Sequence, residues 1–371
     1  MMGFSFGRFA MAAATLGVLT VPVSTATAAE RDPLKPVWLN TLKADNGFDI
    51  ILAPGGKNVW AFGTAHPDYK NRPLIYRKSG STWKRAELPR GLNGWMKAAD
   101  ASSANNVWTV GSDSFDDRGA TYLLHWDGRR WSLVRHWDAR IVSAVAATGK
   151  HGVWVFDSQR PRALRFDGRR WRKAKTPISI WGAKAHGKTI WAWGFDKNDR
   201  ARVVRFDGRR WKTVDPGALL PEQTRKSITL FDAPVIDGKD VWMVGYHISD
   251  WKDENSKENS FLLRYKNGKW RKEKTDPAVP IGFEPVPDGR GGLWFLASED
   301  TSDPDGVSEE DLFLTHRTAS GRWTERFLGH VVRGTPGVAD MVRLPGTQRL
   351  LGAGHIEPPT GNYDAAIFEL P

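Results

Sequence analysis

The chain of 371 residues carries 54 Lys and Arg against 42 Asp and Glu, a formal +12, with no cysteine and 19 Trp. The lack of cysteine excludes disulfide scaffolds, thiol nucleophiles and thiolate metal sites, and a hydrophobic content of 40% is adequate for a buried core and argues against disorder. Abundant Trp, with 37 Gly in no collagen period, points to a repeat that uses Trp.

Residues 1–28 read as a secretory signal. A short stretch holding Arg8 precedes an apolar run over 9–23 and the small-residue cleavage pattern Ala26-Thr27-Ala28. Pro22, Ser24 and Thr25 interrupt the run short of the ~20 apolar residues that a membrane helix needs. The expectation is a mature chain of residues 29–371 forming a single domain, secreted to the medium or cell wall, with no membrane span and as a monomer.

From residue 37 onward one phrase recurs. Its first half appears as Val59-Trp60-Ala61-Phe62-Gly63, Val107-Trp108-Thr109-Val110-Gly111, Val153-Trp154-Val155-Phe156, Ile190-Trp191-Ala192-Trp193-Gly194, Val241-Trp242-Met243-Val244-Gly245 and Leu293-Trp294-Phe295-Leu296. A seventh copy, Leu350-Leu351-Gly352-Ala353-Gly354, lacks the Trp. The second half is an apolar strand ending in an aromatic, a tight turn and a Trp: Tyr76 to Trp83, Trp126 to Trp131, Phe166 to Trp171, Phe206 to Trp211, Tyr265 to Trp270 and His316 to Trp323.

In four of these hairpins the aromatic and the Trp stand five positions apart, which places them opposite each other across a two-residue turn. Gly208-Arg209 suits a type II′ turn and Asn267-Gly268 a type I′ turn. Asp207 then faces Arg210 as an exposed ion pair. Each unit supplies four short strands at a propeller-blade period, and the expected fold is an all-β, seven-bladed β-propeller of four-stranded antiparallel blades. The last copy supplies three strands, and Val37-Trp38-Leu39-Asn40-Thr41-Leu42 reads as the missing fourth, so the N-terminal strand completes the last blade and leaves no open edge.

With Val-Trp-x-Val-Gly followed by aromatic-Asp-Gly-x-x-Trp, residues 37–371 resemble secreted bacterial β-propellers with Trp-rich, kelch-like repeats. The resemblance implies the fold and leaves the chemistry open. Galactose oxidase-like propellers need a Tyr-Cys crosslink, which a chain without cysteine cannot form. Sialidase-like propellers carry Ser-x-Asp-x-Gly-x-Thr-Trp at the third turn; Gly80-Ser81-Thr82-Trp83 matches its end, but Tyr76 and Lys78 replace its Ser and Asp.

In a four-stranded blade the first and third turns open on one face of the disc, and the second connections and inter-blade links on the other. Third turns carrying Arg129, Arg130, Arg169, Arg170, Arg209 and Arg210 predict a basic face over blades two to five. Second connections carrying Asp113, Asp116, Asp117, Asp250, Glu254 and Asp305 predict an acidic rim opposite. The basic face suits an anionic extracellular polymer; the alternative is a solvated charge pattern inherited with the repeat. Export and the commitment of Trp to packing argue against nucleic acid.

Aligned by distance to the repeat Trp, the starts of the first strands place Asp49, Asp232, Glu284 and Asp340 at the channel mouth beside Lys97, Ser143 and Trp181. Such carboxylates could orient a ligand, hold a hard cation or serve as acid and base; the alternative is that each accepts backbone amides of a neighbouring blade. No cofactor is expected. Calcium is the one candidate, at residues 300–306, where Thr301 and Leu312 occupy positions that a calcium loop gives to carboxylates. The nine His form no metal or nucleophile motif. Two functions follow: a secreted non-catalytic module binding an extracellular glycan, anionic polymer or protein, or a carbohydrate-active hydrolase or lyase using the mouth carboxylates.

Overall fold

Seven antiparallel sheets follow one another along the chain in a computed structural model. It describes residues 34, 36–40, 44–55, 58–67, 70–114, 119–138, 142–224, 226–232, 234–250, 256–275, 283–300, 310–331, 336–356 and 362–371. The segment read as a secretory signal and the 301–306 stretch of the candidate calcium loop lie outside the described residues.

Blade one is built from Asn46–Gly55, Asn58–Ala65, Arg72–Ser79 and Thr82–Arg85. Blade two follows with Trp95–Ser103, Asn106–Ser112, Thr121–Trp126 and Trp131–Trp137, and blade three with Val142–Thr148, Gly152–Asp157, Arg162–Phe166 and Trp171–Lys175. Blade four comprises Ser179–His186, Thr189–Phe195, Ala201–Phe206 and Trp211–Thr213. Blade five comprises Ser227–Phe231, Asp240–Ser249, Lys257–Lys266 and Lys269–Glu273. Blade six comprises Phe283–Pro287, Leu293–Asp300, Glu310–Arg317 and Trp323–Val331. Blade seven takes Pro336–Arg343, Leu350–Ile356 and Asp364–Leu370 from the C-terminal end and Pro36–Asn40 from the N-terminal end.

The fold is thus a seven-bladed β-propeller closed by a shared blade. Trp38 stands opposite Ile367 and Pro36 opposite Phe368. Two Asn side chains fasten the closure: Asn40 Nδ2 donates to Asn46 Oδ1 at 2.9 Å, which also takes the Ala365 amide at 2.9 Å, while Tyr76 donates its hydroxyl to Asn40 at 2.9 Å. One blade departs from four plain strands. The first strand of blade five is interrupted after Phe231 and resumes as Val235–Asp237, with Pro234 in the gap, where proline cannot donate to the ladder.

The turns follow their residues. Phe206 pairs with Trp211, Phe166 with Trp171, Trp126 with Trp131 and Tyr265 with Trp270. Gly208 has φ +93° as a type II′ turn requires, and Asn267 and Gly268 have φ +51° and +81°, the pair of positive values that defines type I′. In blades one and six the register instead sets Lys78 opposite Trp83 and Arg317 opposite Trp323.

Each repeat Trp is a wedge between blades. Trp60 meets the Trp126 and Trp131 rings of blade two at 5.0 and 5.3 Å, Trp154 meets Phe206 and Trp211 of blade four at 4.8 and 5.6 Å, and Trp191 meets Tyr265 and Trp270 of blade five at 4.8 and 5.9 Å. The hairpin pair of one blade is therefore the socket for the Trp before it, and edge-to-face contacts of this kind add ~0.5–1.5 kcal/mol each beyond burial. At the seam, where Leu351 replaces the wedge, Trp38 reaches Tyr76 at 4.7 Å and Trp83 at 6.2 Å.

Candidate functional site

The third turns of blades two, three and four share one construction. Asp127 Oδ1 accepts the amides of Arg129 and Arg130 at 2.8 and 3.0 Å, Asp167 those of Arg169 and Arg170 at 2.9 Å each, and Asp207 those of Arg209 and Arg210 at 3.0 and 2.9 Å. These amide donors, foremost those of Arg130, Arg170 and Arg210, hold the three carboxyls below the usual carboxylate range. Asp167 also lies 3.6 Å from Arg172 and Asp207 3.1 Å from Lys212. The expected side-chain pair between Asp207 and Arg210 gives way to this arrangement: the two residues do oppose, with Asp207 N donating to Arg210 O at 3.2 Å, but the carboxylate turns to its own loop. Each turn carboxylate is engaged locally, and Arg129, Arg130, Arg169, Arg170, Arg209 and Arg210 are all exposed.

At the opposite face the first strands begin with a bulge. The ladder slips between Phe48 and Ile50, Met96 and Ala98, Val142 and Ala144, Ile180 and Gly182, and Val338 and Asp340. The bulged residues are therefore Asp49, Lys97, Ser143, Trp181 and Ala339, and Asp232 holds the corresponding place after Phe231. Ser143 Oγ donates to the Ile180 carbonyl of the next blade at 2.6 Å, and Asp232 accepts the Tyr246 hydroxyl at 3.0 Å. Asp340 lies one residue beyond the bulge, paired with Ala353. It is buried, with its oxygens on the Ile51 amide of blade one at 2.8 Å and the Met341 amide at 2.7 Å. Glu284 falls in the slip between Phe283 and Val286, and its side chain lies outside the described residues.

A further pattern emerges on the basic side. Directly across from the repeat Trp on the third strand stands a basic residue: Arg77 opposite Trp60, His125 opposite Trp108, Arg165 opposite Trp154, Arg205 opposite Trp191, Arg264 opposite Trp242 and His316 opposite Trp294. The guanidinium carbons lie 4.4–5.5 Å from those ring centroids, distances at which the ring quadrupole attracts a cation, and the imidazoles stack on theirs at 3.8 and 4.0 Å. The signal was available in sequence, since Arg or His immediately precedes the aromatic in His125-Trp126, Arg165-Phe166, Arg205-Phe206 and Arg264-Tyr265.

Between blades three and four this side opens into a cleft of about 330 Å³. It is formed by the first turn of blade three, by the third turns of blades three and four, and by Lys188. Lys150, Arg165, Arg169 and Lys188 line it against the single carboxylate Asp167, with His151, Trp154, Phe166 and Phe206. Among the described residues no group of three or more His, Asp or Glu side chains is placed to hold a metal ion, and no helix is long and apolar enough to cross a membrane.

No protein-family model and no curated protein matches the chain. Solved structures do. YCF48 bound to D1 peptide matches with a TM-score of 0.54 at 12% identity, over 93% of this chain and 99% of that one. Polysaccharide lyase Uly1 matches with a TM-score of 0.53 at 12% identity, over 88% and 90%. Likeness at this identity shows the propeller fold alone.

Proposed function

We propose that the chain is a secreted, non-catalytic binding module that takes an extracellular anionic polymer on the face formed by the first and third turns of blades two to five. The observation that carries this reading is the shared turn geometry. Each Asp spends Oδ1 on the loop's own amides, and Asp167 and Asp207 turn Oδ2 to Arg172 and Lys212 of the following strand. The arginines of the turn are exposed and form no ion pair within 4.0 Å among the described residues. An array of solvated cations on one face attracts a polyanion by long-range field and counterion release, an attraction that falls steeply with ionic strength. A buried Asp340 tied to two amides serves the blade junction, which favours binding over hydrolysis at the channel mouth. Protein partners remain compatible with the same face if they are acidic.

The test is retention of the mature chain on acidic and neutral polysaccharide columns across a salt gradient. Retention by the acidic polymer that collapses with salt, and is lost in the Arg129→Glu/Arg169→Glu/Arg209→Glu variant, is the expected result. Retention by the neutral polymer, insensitive to salt and to the triple reversal, overturns the reading.

A further inference from the structure

In most blades the basic side chain over the repeat Trp has an acceptor from its own blade. Arg77 donates to Asn58 Oδ1 and His125 Nε2 meets Asn106 Oδ1 at 2.8 Å. Arg264 is paired with Asp240, its Nε at 3.0 Å, and His316 lies 3.0 Å from Asp288. Asn58, Asn106 and Asp240 occupy one repeat position, two residues before the Trp. Blade six has Gly292 there, and Asp288 from the preceding turn fills the space: a Cβ on Gly292 would come within 2.4 Å of the Asp288 carboxylate.

Blade three breaks this rule. Its residue two before Trp154 is Gly152, and the place of Asp288 is taken by Thr148, whose hydroxyl would lie 2.8 Å from a Cβ on Gly152. Neither of the two repeat positions that supply an acceptor in blades one, two, five and six carries a carboxylate or amide here. Arg165 makes no hydrogen bond and no ion pair within 4.0 Å among the described residues, and its Cζ lies 5.2 Å from the Trp154 centroid and 5.7 Å from that of Phe206. Arg205 of blade four also lacks such a partner, but Thr189 keeps a side chain where blade three has Gly152. It is at Gly152 and Arg165 that the 330 Å³ cleft opens.

We propose that this cleft is a subsite for one oxyanion group, a carboxylate or sulfate ester, carried by an acidic polysaccharide; the proposal rests on the polyanion-binding reading of the same face and names its anchoring residue. A guanidinium held over two aromatic rings is pre-oriented; the field of Asp167 reaches it, but it has no hydrogen-bond acceptor among the described residues of the blade, and a two-oxygen ligand would supply one. Its planar fork matches the two-oxygen edge of a carboxylate or sulfate. Lys150, Arg169 and Lys188 surround it, and Asp167, the lining carboxylate, is already engaged by the amides of Arg169 and Arg170. The volume falls at the lower end of the ~300–1,000 Å³ typical of small-ligand sites, which suits one acidic sugar unit of a chain whose remainder crosses the basic face.

Calorimetric titration of the mature chain with a galacturonate disaccharide, a sulfated disaccharide, a neutral disaccharide and the corresponding polymers tests this. Three variants are compared: Arg165→Met, which keeps the stem packed on Trp154; Thr148→Asp, which gives Arg165 the internal acceptor that blade six provides; and Arg129→Glu/Arg209→Glu, outside the cleft. Wild type should bind one or both acidic disaccharides and not the neutral one, and which acidic probe binds identifies the oxyanion. Arg165→Met and Thr148→Asp should each weaken that binding at least about tenfold, the loss expected for a charge-assisted hydrogen bond. Thr148→Asp should melt no lower than wild type, which removes misfolding as the cause. Disaccharide binding unchanged in both cleft variants, or no binding of either acidic disaccharide by wild type, overturns the subsite. Polymer binding lost in Arg129→Glu/Arg209→Glu with disaccharide binding gone from wild type leaves the face reading standing alone, and the reverse outcome leaves the subsite alone.

Discussion

The Asp340 carboxylate of blade seven accepts the Ile51 amide of blade one at 2.8 Å. Asp100 of blade two makes the same connection to the Ala147 amide of blade three at 2.8 Å, with Lys184 of blade four 3.1 Å away. Inner strands of neighbouring blades cannot satisfy each other's outward amides by ladder pairing, so a buried carboxylate does so. Asp340→Ala should lower unfolding stability by ~1–3 kcal/mol, the range for a stranded buried donor, and leave acidic-polymer binding unchanged. Chemical denaturation and the column assay read the two effects separately; loss of polymer binding without loss of stability would return Asp340 to a ligand role.

Arg317 and Glu273 pair across the blade five to blade six junction, with 5% and 18% of their side chains exposed. The Arg317 guanidinium lies over Trp242, 5.2 Å from its centroid, where other blades offer an aromatic. Removing one partner leaves a buried charge, so Glu273→Gln should cost on the order of 3 kcal/mol, while Glu273→Gln/Arg317→Met should recover most of it. Urea midpoints of the single and double variants provide the comparison, and equal midpoints for both would show that the pair is not coupled.

Gly268 offers a purely backbone test. Its φ is +81° and a Cβ there would meet nothing within 4 Å. Gly268→Ala should therefore destabilise by about 1 kcal/mol through strain alone, and Lys266→Ala, beside it in the hairpin, should cost much less. A tolerated Gly268→Ala would mean that the turn relaxes to another type.

Fold and turns were legible because their chemistry is local. Asn267-Gly268 and Gly208-Arg209 state their turn types in two residues, and the Trp spacing states the blade. What lay hidden depends on register. Asp49 and Asp340 look equivalent by counting, yet the bulge consumes Ala339, and one residue of slip turns Asp340 into the junction. Likewise the exposed arginines of the turns announce themselves in Asp-Gly-Arg-Arg, whereas Arg165 becomes notable only when the second and third strands are aligned and Gly152 is seen where Asn58, Asn106 and Asp240 stand. The absence of a side chain carries that part of the candidate site, and absence has no motif.

His125 gives the chain an acid-sensitive element. It stacks on Trp108 at 3.8 Å and its Nε2 meets Asn106 Oδ1 at 2.8 Å. Burial lowers its pKa from 6.5 to about 4, with Asp127 opposing and His151 adding to the shift. Between those two values the unfolded chain holds a proton that the folded chain does not, so stability falls as pH drops from 6.5 toward 4. His247, also pushed down by burial, contributes in the same direction, whereas the lowered carboxyl of Asp127 acts below the window. His125→Phe keeps the ring on Trp108 and removes the titration. The decrease in urea midpoint from pH 7 to pH 5 should be smaller in His125→Phe than in wild type, and smaller again when His247→Asn is added. An identical decrease in wild type and His125→Phe would mean that the imidazole protonates in place without disturbing its stack.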